Sequence, residues 1–182
     1  MSANDISVML WHERKLLDYL IFKLEEEQHL LAIRETRLLP QVIGELEKAI
    51  NDLPLTQLAR DVELAARAAG WGIQPYATLR ELADQAPASP WGEIFTAHLS
   101  AMRAQADKIR GLREANEDAL QSLADHIQEE LARVHGRTQI SHDQSEDRTA
   151  AHLTLELEKT TCQRALLVTA RTLPWTLTEF LG

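Results

Sequence analysis

The chain has one cysteine, Cys162, so no internal disulfide can staple it, and no C-x-x-C motif occurs. Aromatic residues make up only 5% of it, and seven glycines with six prolines are too few for the many tight turns of a sandwich of short strands. Charges interrupt every apolar run well short of bilayer length, which argues against membrane insertion. The opening MSANDISVMLW has no basic lead and no cleavable apolar stretch. The expectation is therefore a cytoplasmic chain with a reduced thiol. Positive charge is also scarce. Lys and Arg number 19 against 28 Asp and Glu, and the formal charge of −9 speaks against nucleic acid or an anionic membrane as partner. No G-x-S-x-G, P-loop or G-x-G-x-x-G is present.

What the sequence does have is apolar residues at helical spacing. Leu10, Leu17, Leu24, Leu31 and Leu38 recur every seventh position, the period that keeps one helix face against a partner. Glu13, Glu27 and Arg34 take other slots of that seam, and a second row (Met9, Leu16, Ile21, Leu30) widens it, so this helix should touch more than one neighbour. The spacing predicts a long helix over about 4–53, bent at Pro40 and ended by Pro54. A short helix over about 55–69, stopped by Gly70, should come next. Thr78 and Glu81 form a capping box for another over about 78–86.

A second long helix is expected over about 90–135, with Ser89 as its cap and Pro90 in its first turn. Its seam runs from Phe95 through Leu99, Met102, Ala106 and Ile109 to Leu120, Leu123 and Ile127. Arg113 and Asn116 interrupt that seam and are expected to face solvent where the helices diverge. Gly136 should stop it, and the polar GRTQISHDQSEDR reads as a flexible linker over about 137–150, with Asp143 or Glu146 capping the C-terminal helix. Within 151–182, HLTLELEK alternates like a strand, but no partner strand exists elsewhere, so helix is the expectation. Pro174 should end it, and Thr176 with Glu179 should cap one last apolar turn. The fold class is all-α: an elongated antiparallel helical bundle or coiled coil of two long helices with short connecting helices. The body occupies 1–136, and a C-terminal amphipathic helix lies beyond the linker.

Chemistry-bearing constellations are sparse. Glu26 and His29 make one Glu-x-x-His motif where a di-iron bundle needs two, and His126 with Glu129 has the reverse order. No metal, cofactor or catalytic residue is expected, and Cys162 reads as packing. The run Glu25 to Glu27 reads as a solvated face. The stretch that stands out is the closing QRALLVTARTLPWTLTEFLG, apolar in an acidic chain. It is expected either to fold back onto its own body or to share its seam with a partner's amphipathic helix, and the two are compatible because a self-docked tail can be displaced.

Three segments carry a family resemblance. LWHERKLLDYLIFKLEEEQHLLA (10–32) resembles the opening helix of FlgN-type flagellar export chaperones, particularly their actinobacterial branch. LRELADQAPASPW (79–91) is similar to the middle connection of that branch, and ALLVTARTLPWTLTEFL (165–181) to its closing segment. The resemblance implies a cytoplasmic, non-enzymatic chaperone without cofactor. Its clients would be hook-associated (hook–filament junction) proteins, whose terminal helical regions it covers before delivery to the flagellar type III export gate. The family's C-terminal region is the part associated with client binding. The residues expected to face the client are Leu157, Leu166, Leu167, Ala170, Leu173, Trp175, Leu177 and Phe180. In some relatives a tyrosine near the C-terminus contacts the gate. The tyrosines here are Tyr19 and Tyr76, so that role is either lost or passed to Trp175 or Phe180. The protein would be a monomer or a homodimer. The alternatives are a dimerising coiled-coil scaffold without client, and a metal-binding helical bundle.

Overall fold

A computed structural model describes residues 3–72, 74, 77–86, 90–138, 145–172 and 175–182; the side chains of 67–71, 136–138, 145–148, 175, 176 and 178 lie outside that description. Among the described residues six α-helices succeed one another: α1 (Ala3–Ala32), α2 (Leu39–Trp71), α3 (Leu79–Gln85), α4 (Trp91–Thr138), α5 (Ser145–Thr169) and α6 (Trp175–Leu181). No strand occurs among the described residues. The all-α expectation holds, and the structure has four long helices where the heptads outlined two.

The helix expected over 4–53 is two antiparallel helices. α1 stops at Ala32 because the chain turns left-handed at Arg34 (φ 55°). The Glu35 amide reaches back to the Leu30 carbonyl (2.9 Å) and the Arg34 amide to the Leu31 carbonyl (3.2 Å), which caps the last turn. A single 3-10 turn, Thr36–Leu38, then leads into α2. Pro40 is the second residue of α2, where its missing N–H breaks no intrahelical bond, so it opens a helix instead of bending one.

Pro54, expected as a terminator, lies inside α2 with its ring exposed. The core stripe runs straight through it: Leu46, Ile50, Leu53, Gln57, Arg60 and Leu64 are all buried. That packing outweighs the roughly 3 kcal/mol a mid-helix proline costs. The separate helix over 55–69 is therefore the second half of α2. Gly70 is still helical, and it is Gly72 (φ 71°) that supplies the left-handed turn beyond the end. α3 begins as the capping box requires: the Glu81 amide donates to Thr78 Oγ1 (3.2 Å) and the Thr78 amide to Glu81 Oε2 (2.8 Å).

α4 runs past Gly136 to Thr138, about 72 Å at 1.5 Å per residue. Ser89 and Asp143 lie outside the described residues. Of the segment expected as linker, 145–150 already belongs to α5, Glu146 included. Thr176 sits within α6, whose first residue is Trp175, so it does not cap that helix.

Cross-helix contacts give the arrangement. Lys23 with Glu45 and Glu13 with Arg60 set α1 antiparallel to α2. Ser7 with His98 (3.0 Å), Gln105 with Asp18, and Asn116 with the Leu24 carbonyl (2.9 Å) set α1 parallel to α4. Cys162 with Leu120 and His135 with His152 set α5 antiparallel to α4, while Thr36 with Glu158 and Arg164 with Glu47 lay α5 alongside α2. The four long helices thus form a ring in the order α1, α2, α5, α4 around a core of Leu10, Leu17, Leu20, Leu24, Ile43, Leu46, Phe95, Met102 and Ile109. α1 does touch two neighbours, as its widened stripe foretells.

The end of α4 and the start of α5 run on as a two-helix extension past the end of α1, where Ile127 and Leu131 are buried. α5 stops near the level of Glu27. α6 packs on α3 and α4 beyond it, so the two together line one side of the molecule.

Candidate functional site

The closing apolar segment folds back onto the body. α6 buries Leu177, Phe180 and Leu181, while Arg103 Nη2 donates to the Leu181 (2.9 Å) and Gly182 (2.5 Å) carbonyl oxygens. Arg60 of α2 meets Phe180 as well, its guanidinium carbon 3.4 Å from the ring centroid. Arg60 also donates from Nη1 to both Glu13 oxygens (2.6 and 2.5 Å) and from Nη2 to Asp61 (3.1 Å). The glutamate is fully buried and the arginine nearly so. A buried ion pair on α1 and α2 is thus the seat on which the last helix rests.

A second buried carboxylate holds the end of α5. Glu27 Oε2 accepts from Asn116 Nδ2 (2.8 Å), and Thr169 Oγ1 donates to both carboxylate oxygens (2.9 and 3.2 Å). Glu27 and Asn116 are both fully buried. Two expectations are corrected here. The Glu25 to Glu27 run is a solvated face only in part: Glu25 pairs with Lys108 and Glu26 with Lys23, but Glu27 points inward. Asn116 does not face solvent either; it bridges α4 to the Leu24 carbonyl and to Glu27, and Arg113 beside it is half-buried. The physical reason is mutual. Asn116 Nδ2 and the Glu27 carboxylate satisfy each other, so their burial costs far less than it would for either alone, although Asn116 Oδ1 is buried without a hydrogen-bond partner among the described residues.

Burial pushes the carboxyls of Glu27 and Glu13 above the usual range. Asn116 and Thr169 partly offset the effect on Glu27, as Arg60 and Gln57 do on Glu13. For Glu27 no cation contributes to the balance. A carboxyl whose folded pKa is raised binds its proton more readily folded than unfolded. Its contribution to stability therefore falls as pH rises from about 4.3 through the raised value. Glu27→Gln, which keeps an acceptor but never ionises, is expected to be at least as stable as the parent at pH 8 and to show a smaller stability change between pH 5 and 8. Urea unfolding midpoints at the two pH values measure this. A Gln variant clearly weaker at pH 8 alone would mean the ionised form is the stabilising one.

The eight residues expected to face a client do not share one surface. Leu157 (69% exposed), Leu167 (71%) and Ala170 lie open to solvent, and Leu166 is half-buried. Leu177 (0%) and Phe180 (8%) are inside the α6 contact. Leu173 lies outside the described residues, and Trp175 is placed by its backbone alone. Sequence reasoning passed over Leu153, 63% exposed, four residues before Leu157. Its signal was the heptad of α5 itself: 153, 157, 160, 164 and 167 alternate steps of four and three. That row (Leu153, Leu157, Thr160, Arg164, Leu167) is the outward face of α5, and the buried row is Cys162, Ala165, Val168 and Thr169.

No curated protein and no solved structure matches the chain. A family model described as FlgN protein matches residues 1–142, from α1 through the end of α4. With well over half of its length matched, and helices throughout that stretch, the chain belongs to the FlgN family of flagellar type III export chaperones.

Proposed function

We propose that this chaperone binds the terminal helical regions of hook-associated junction proteins in the cytoplasm, keeps them from associating early and delivers them to the flagellar export apparatus. The observation that carries the reading is the outward row on α5. Three leucines stand exposed at heptad spacing on a helix whose other face is docked. A client segment destined for a coiled coil offers a matching stripe. Pairing removes apolar surface from water at about 25 cal/mol per Å², offset by the entropy of ordering the guest. Affinity is then moderate, and release needs no nucleotide. The reading assigns no catalytic step to the chain. Leu153, Leu157, Leu167 and Ala170 meet the client directly, with Leu166 at the margin. Leu173 and Trp175 are assigned to the same surface from the sequence. Leu177 and Phe180 hold α6 in its seat and reach a client or the export gate only if that helix lifts.

Leu157→Asp and Leu167→Asp test it, since both side chains are exposed and the fold does not depend on them. Each should cut co-purification of a junction-protein terminal segment by about tenfold or more while leaving far-UV helicity unchanged. Retention equal to the parent's would defeat the assignment. Light scattering with and without the junction protein separates this reading from a scaffold that pairs α5 with a second copy of itself.

A further inference from the structure

α1 ends at Ala32, but α4, its parallel neighbour, continues for several turns. The lane α1 leaves empty is a groove of about 680 Å³ along α4, and among the described residues none of α5 lines it. Leu31 at the end of α1 and Ala119 and Leu123 of α4 give it an apolar strip, flanked by the neutral polar side chains of Gln121 and Ser122 and by His126. Its rim is acidic: Asp118, Asp125 and Glu129 stand along about 16 Å of α4. The terminal carbonyls of α1 add the negative end of a helix dipole, and among the described residues Arg34 is the one arginine or lysine on the lining.

We propose that this groove is a second docking site, for a basic amphipathic helix that extends the lane of α1. Apolar residues of the guest would sit on Leu31, Ala119 and Leu123, and its lysines or arginines would meet Asp118, Asp125 and Glu129. Charge complementarity selects this guest. A helix with acidic flanks would face three carboxylates across a shallow apolar strip, and like charges so placed repel. The site lies off the outward row of α5, so a client and a basic helix can be held at the same time. It stands independently of the client assignment.

The probe is a labelled helical peptide of about 18 residues, leucine at the seam positions and lysine elsewhere, titrated by fluorescence anisotropy at low salt. The parent should bind it, and should not bind the same peptide with glutamate in place of lysine. Asp118→Asn, Asp125→Asn and Glu129→Gln combined should weaken binding by about tenfold or more. A control with the same change of net charge, Asp52→Asn, Asp84→Asn and Glu93→Gln combined, should bind as the parent does. Leu167→Asp should also leave the affinity unaltered. Equal weakening in the two triple variants would reduce the effect to bulk attraction by an acidic protein. Loss of binding in Leu167→Asp would move the peptide to α5. Either result, or failure of the parent to bind, overturns the proposal.

Discussion

Arg60→Ala should lower the stability of the fold by about 3–5 kcal/mol, the range for stripping one partner from a buried ion pair. Glu13 would keep its fully buried carboxylate with its bidentate donor gone, and Phe180 would lose the cation beneath its ring. In a chain of this size that is a fall in Tm of about 6–20 °C. The pH dependence gives a second signature. Burial already raises the Glu13 carboxyl and Arg60 opposes the rise, so without Arg60 it moves further up. A raised carboxyl destabilises the fold increasingly as pH climbs, so the variant should recover part of its loss between pH 8 and pH 5. Glu13→Leu with Arg60→Leu should restore most of the stability, because a matched apolar pair carries no charge to desolvate. A single variant as stable as the parent, at either pH, would show that water reaches Glu13.

Removal of everything after Gly136 should have an even larger effect. It takes away Cys162, Ala165, Val168, Leu177, Phe180 and Leu181, all buried, and uncovers Leu120, Ile127 and Leu131 on α4. Large apolar side chains contribute about 1.5–3 kcal/mol each when buried, so the loss is comparable to the whole stability of a domain. Glu27 would also lose the Thr169 hydroxyl that donates to its carboxylate. The truncated protein should melt far below the parent and bind a hydrophobic dye. Client capture by that truncation is thus a poor measure of where a client binds, whereas the exposed Leu157 and Leu167 can be changed on an intact fold. A truncated body that melts with the parent's cooperativity and midpoint would mean that α5 and α6 contribute little to the core.

How far the sequence could be read differs from element to element. The start of α3 was legible to the residue, since a capping box is a local device whose two hydrogen bonds depend on four adjacent positions. The apolar positions of the α4 seam, Phe95 to Ile109 and Leu120 to Ile127, were legible because heptad spacing reports a buried face directly, but its polar positions Arg113 and Asn116 were not. The end of α1 was not legible. Its stop motif usually announces itself with glycine, and here Arg34 adopts the left-handed turn. The proline at position 54 misled because the cost of a mid-helix proline is a local quantity, and the burial that outweighs it is not. On the candidate site, the apolar character of the closing segment was plain. Which of its leucines face water was not, because that depends on where α2 and α4 lie.

The sequence by itself determined that this protein is helical, acidic and heptad-patterned, and that its last thirty or so residues are more apolar than a free tail should be. These are properties of composition and spacing, readable without knowing what touches what. Only the tertiary structure decided that Glu13, Glu27 and Asn116 are interior, that α6 rests on Arg60, and that α5 turns Leu153, Leu157 and Leu167 outward. A polar residue in a seam can be buried or solvated with the same neighbours in sequence. Its partner's position settles the outcome, and here those partners come from helices 47 to 142 residues away along the chain.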